Sequence, residues 1–150
     1  MTSTLESNTR RVTLAVAVVA VDLGTKITAT RLDHAPDAGL ITPLRNPDYS
    51  LGIIHAESLW LIAGTIAVLA VAAWAYRRAA NPTASWWVGP LVLGGAGANL
   101  IDRAVFGSVH DFITTPWVVF NLADVAVAIG LIGFYHDLHT RQRQEGRCTP

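Results

Sequence analysis

Residues 86–103 read WWVGPLVLGGAGANLIDR, an apolar run that closes on an asparagine, an acid and a base. The small residues Gly94-Gly95-Ala96-Gly97-Ala98 suit a close helix crossing in a membrane, and no GK[ST] follows to make them a phosphate loop. Asp102 sits at the edge of hydrocarbon depth, where a charge costs about 3 kcal/mol or more unless it faces a bundle interior, a wet cavity or a partner charge. The next apolar run opens on a similar string, Asn121-Leu122-Ala123-Asp124, and a third acid, Asp111, lies between the two. Three carboxylates this close in an otherwise apolar region imply a shared site.

The rest of the chain fits that setting. Of its 150 residues, 51% are hydrophobic and 15% charged, and the mean hydropathy is +0.38, the profile of a small polytopic membrane protein. Four stretches approach the roughly 20 apolar residues a spanning helix needs: residues 12–30, 59–76, 86–101 and 117–135. Asp22 and Lys26 interrupt the first stretch and three more spans follow, so it reads as a retained helix and not a cleaved leader. The expectation is one all-α membrane domain over residues 1–150, with four transmembrane helices.

Arg10 and Arg11 precede the first stretch, Arg77 and Arg78 separate the second from the third, and Arg141, Arg143 and Arg147 follow the fourth. These basic flanks fall on one side of a four-helix topology and predict cytoplasmic termini, with a tail over residues 137–150. The acids then lie near the outer interface. A segment over residues 31–58 is also outside, where Pro36, Gly39, Pro43, Asn46, Pro47 and Asp48 alternate with short apolar runs, which predicts turns and small β-strands at the membrane surface. Zero formal net charge offers nothing to a nucleic acid, and the single cysteine, Cys148, excludes an intrachain disulfide.

Each polar group has a bland and a sharp reading. Asp22 and Lys26 are four apart on one helix face and can pair, with the lysine snorkelling outward. Asn99 and Asp102 share a face, and Arg103 can neutralise an acid or bind a phosphate. Asp111 falls in an outer loop, and Asp124 about two turns into the last helix with no basic residue three or four positions away. Two carboxylates sharing a proton in an apolar pocket can activate a water with one acid and protonate a carbonyl with the other. The same acids would also serve a proton or cation pathway in a small transporter or binding subunit. There is no HExxH and no GxSxG, and His34, His55, His110, His136 and His139 form no ligand pattern, so neither a metal nor a cofactor is expected.

Five strings in order resemble the lipoprotein signal peptidases, the bacterial signal peptidase II family of four-helix aspartic membrane proteases. They are Asp22 to Lys26 (DLGTK), the outer motif from Asn46 to Gly52 (NPDYSLG), Asn99 to Arg103 (NLIDR), Gly107 to Phe112 (GSVHDF) and Phe120 to Asp124 (FNLAD). The resemblance implies Asp111 and Asp124 as the catalytic pair. Asp22, Lys26, Asn46, Asn99, Asp102, Arg103 and Asn121 would bind substrate or support the site, with Asn99 and Asn121 holding the scissile backbone. It implies a partner too: a prolipoprotein carrying diacylglyceryl on a cysteine, cut just before that cysteine, with membrane lipid around it. Asp48, Ser50-Leu51, Ala98 and His110 depart from the residues usual in the family, and a catalytically weakened member is a further alternative.

Overall fold

The computed structural model describes residues 2–32, 41–46, 66 and 85–145. Its elements run α1 (Thr2–Leu32), β1 (Ile41–Asn46), α2 (Val88–Phe106), β2 (Val109–Thr114), β3 (Val119–Phe120) and α3 (Leu122–Glu145). The second apolar stretch lies outside the described residues except for Ile66, which is helical; so do Asp48, the rest of the outer segment beyond β1, and Cys148. Among the described residues one helix is long and apolar enough to cross a membrane by length and composition, α1 over Leu5–Arg31. In α2 and α3 polar residues gather toward the ends: Asn99, Asp102 and Arg103 in one, and residues 136–145 apart from Leu138 in the other.

Helix α2 is the centre of the bundle, packed extensively against both α1 and α3, which touch each other far less. The small residues make this possible. A Cβ added at Gly94 would lie 2.8 Å from the Ala15 carbonyl oxygen of α1, and one at Gly95 would collide with the Ala123 carbonyl oxygen of α3. A Cβ at Gly97 would have no neighbour within 4 Å among the described residues, so the close crossing seen there uses two of the three glycines. At the far end Ser85 donates to the Asp137 carboxylate through its backbone N–H (2.8 Å) and its hydroxyl (3.0 Å), and the Trp87 ring lies over Gly133. The start of α2 is thereby tied to the second half of α3.

Gly107 ends α2 in the left-handed region (φ 70°), donating back to the Arg103 carbonyl at 3.0 Å, and turns the chain into a three-stranded antiparallel sheet of order β1-β2-β3. Strand β1 confirms β structure in the outer segment. The other two strands correct the expectation for residues 106–124. Asp111 is on the central strand and not in a loop, paired across from Leu44, while Asn46 pairs with Val109. Residues Val119 and Phe120, assigned above to the fourth span, form β3. The two-residue side-chain period of a strand puts Val109 and Asp111 on the same buried face, and Phe112 on the opposite face is buried as well.

These contacts make a pair of substitutions informative. Gly95→Val should lower stability by about 1–3 kcal/mol through overpacking against α3, whereas Gly97→Ala should be neutral or raise it by up to about 1 kcal/mol through helix propensity. Thermal unfolding of the detergent-solubilised protein checks both.

Candidate active site

The last helix begins with a cap that also gathers the acids. Asn121 is the N-cap of α3 and Asp124 its third residue. The Asp124 N–H donates to the Asn121 side-chain oxygen (3.0 Å), and the Asn121 N–H donates back to Asp124 Oδ2 (3.2 Å). This is the reciprocal arrangement of a capping box, and it places Asp124 in the first turn and not two turns in. A second carboxylate arrives from α1: Asp22 Oδ1 accepts the Ala123 N–H at 2.9 Å. Exposed N–H groups and the positive end of the helix dipole favour acids at this position.

The amide of Asn121 faces the other way. Its Nδ2 donates to Asp111 Oδ1 at 2.6 Å and to Asn99 Oδ1 at 3.2 Å. Asn99 Nδ2 in turn donates to Asp124 Oδ1 at 2.8 Å, so both acids of the expected pair are held by Asn121 and one of them by Asn99 as well. Lys26 sets the direction of the whole chain. An ammonium can only donate, so Asn99 must turn its oxygen toward Lys26 (3.0 Å) and its nitrogen toward Asp124. The carbonyl lone pairs of Asn99 and the two amide hydrogens of Asn121 are therefore used within the protein. These two side chains therefore orient the acids, a role the sequence did not show.

Lys26 does not snorkel outward. Its ammonium is 2.6 Å from Asp22 Oδ2 and 2.9 Å from Asp102 Oδ2, in a residue only 4% exposed. Turned outward, it would leave Asp22 and Asp102, both essentially inaccessible, as buried anions without a cation. Asp102 also accepts the His110 backbone N–H at 3.0 Å, with the His110 ring 3.5 Å from the same oxygen and edge-on to Phe106. It thus braces the residue before Asp111. Arg103 is buried beside it and donates to the Asn99 carbonyl at 3.4 Å. The backbone of Asn46 pairs with Val109 at the end of β1; its side chain is outside the described residues.

The structure thus brings Asp22, Lys26, Asn99, Asp102, Arg103, Asp111, Asn121 and Asp124 into one buried or half-buried cluster drawn from α1, α2, β2 and α3. Sequence reasoning missed the Asp22 bond to α3 and the cap. The Asn-x-x-Asp spacing at residues 121–124 is a capping-box signal that could have revealed the second.

A family model described as signal peptidase (SPase) II matches residues 14–139. The chain belongs to that family. Among its relatives, the lipoprotein signal peptidase of Moorella thermoacetica is 32% identical over 145 residues, covering 89% of this chain and 95% of the relative. That of Janthinobacterium sp. is 30% identical over 140 residues, covering 83% of this chain and 84% of the relative. Two solved bacterial membrane enzymes share the fold, with TM-scores of 0.69 and 0.64 at 25% and 26% identity; they cover 89% and 86% of this chain and are themselves covered over 89% and 92%.

Removing the buried cation isolates its role. Lys26→Met should destabilise the protein by about 3–5 kcal/mol, because two acids lose their counter-charge at once. Adding Asp22→Asn to it should recover part of that loss, a non-additivity of about 1–3 kcal/mol measurable by denaturation of the single and double variants.

Proposed function

We propose that this protein is an aspartic endopeptidase of the bacterial cytoplasmic membrane. It removes signal peptides from diacylglyceryl-modified prolipoproteins by cutting just before the lipidated cysteine. The observation that carries the reading is the convergence of Asp111 and Asp124, from separate elements, on the single side chain and backbone N–H of Asn121. Membership of the signal peptidase II family supports the substrate class. The proposed topology has four spans, cytoplasmic termini and an outward site. The apolar length of α1 and the basic flanks at residues 10–11 and 141–147 support it.

In the proposed mechanism, Asp111 and Asp124 share a proton and hold a water between them. One carboxylate takes a proton from that water as it attacks the scissile carbonyl, and the other donates a proton to the carbonyl oxygen. The resulting tetrahedral diol collapses, with the leaving amine protonated by the acid that had accepted the water's proton. Asn99 and Asn121 keep the two carboxylates at fixed orientation, and Asp102 steadies the strand bearing Asp111 through the His110 N–H. Such preorganisation matters because reacting groups must meet in a narrow range of distance and angle. No step in this scheme calls on a metal.

Two measurements test the reading on a lipidated precursor peptide. Asp111→Asn and Asp124→Asn should each cut the cleavage rate roughly a hundredfold or more, with thermal unfolding showing a folded protein. A folded Asp102→Asn variant without activity, beside an Asp111→Asn variant that retains it, would mean that the acids are paired differently; no cleavage by the wild type would favour ion handling by the same cluster. Dialysis against a strong chelator should leave the rate unchanged, and loss with rescue by zinc would overturn the aspartic mechanism.

A further inference from the structure

Strands β2 and β3 are joined by a turn that nothing in the proposed chemistry uses. Thr115 closes it three times. Its N–H and hydroxyl both donate to the Val118 carbonyl (2.9 and 2.7 Å), and its hydroxyl accepts the Val118 N–H (3.1 Å). Pro116 fixes the backbone at the next position. This rigid tip presents Trp117, which at 82% is the most exposed large hydrophobic side chain among the described residues.

The surroundings of the tip say what meets it. Helix α2 ends at Phe106, exposed beside exposed Val105, and β2 starts three residues later, so Trp117 belongs to the same end of the bundle as these side chains. At the opposite end Trp86 precedes α2 and Tyr135 lies on α3, both exposed; Trp87 on Gly133 joins those two helices there. Exposed Trp86 and Phe106 therefore bracket the 19 residues of α2, about 28 Å at 1.5 Å per residue, with the Trp117 hairpin at the Phe106 end. That is close to the roughly 30 Å hydrocarbon thickness of a bilayer. Tryptophan concentrates at such levels because its apolar rings and its N–H suit the two sides of the headgroup boundary.

We propose that Trp117 is an interfacial anchor, seated among phospholipid headgroups of the outer leaflet, which sets the depth of the acid cluster in the membrane. The hairpin is suited to that task. Strand β2 carries Asp111 on one side of the tip, and β3 runs into Asn121 on the other. A fixed tip height becomes a fixed height for both acids relative to the acyl chains of a lipidated substrate, and the locked turn leaves little chain entropy to be lost on insertion. This use of the anchor rests on the peptidase reading; the anchoring itself does not.

The test compares wild type, Trp117→Phe, Trp117→Tyr and Trp117→Gln in vesicles of phosphatidylcholine and phosphatidylglycerol. The fluorescence lost on Trp117→Phe should be quenched by lipids brominated near the headgroup end of the acyl chain, and not by aqueous iodide, with no substrate present. Quenching by iodide, quenching by neither agent, or protection that appears only when precursor peptide is added would each overturn the proposal. Cleavage supplies the second readout. Trp117→Gln should lower kcat/KM about tenfold in vesicles and leave it nearly unchanged in detergent micelles, with Trp117→Tyr restoring most of the loss. Equal losses in both media would assign Trp117 to substrate binding or folding instead. If the wild type cuts no precursor, the peptidase reading falls while the quenching result still decides the anchor.

Discussion

A single buried ammonium holds the site together. Lys26 lies between Asp22 of its own helix and Asp102 of α2 and also donates to Asn99, so one cation joins two helices and orients the first amide of the network. Its contacts order everything beyond it. Asp22 is free to spend its other oxygen on the start of α3, and Asn99 is compelled to offer its nitrogen to Asp124. In a low-dielectric interior such a network is stabilising only when every member has a partner, which is why so few polar residues can be added to or removed from it.

Close packing determines whether that network can form at all. Gly94 and Gly95 bring α2 against the backbones of α1 and α3 one or two turns before Asn99, and the hydrogen bonds between helices become short enough as a result. Gly107 then reverses the chain so that β2 returns past the end of α2, where Asp102 meets the His110 N–H. Helices supply the walls, and the central strand supplies the remaining acid.

Much of this was legible beforehand because charge in an apolar setting is informative on its own. Asp22 four residues from Lys26, the glycines before Asn99, and isolated Asp124 each pointed to an interaction that the fold contains. What escaped was direction and secondary structure. The outward course expected of Lys26 follows from a lone lysine near a helix end, but two inward anions outweigh it, and a sequence cannot show that Asp102 lies opposite Asp22. Residues 109–120 were read as loop and helix because two short strands leave only a brief alternation, and β1, which pairs with β2, is more than 60 positions away. The part that Asn99 and Asn121 play in orienting the acids escaped for a similar reason. An amide can face a ligand or a neighbour, and only the surrounding donors decide which.

Asp124 does two things in one place. It belongs to the acid cluster, and it also returns the hydrogen bond of the N-cap at the start of α3. Under the proposed mechanism, selection for a well-formed helix and selection for chemistry act on the same carboxylate. A descendant that abandoned catalysis would still be under pressure to keep an acceptor at this position, so an acid there in a distant relative reports shared architecture before it reports shared activity.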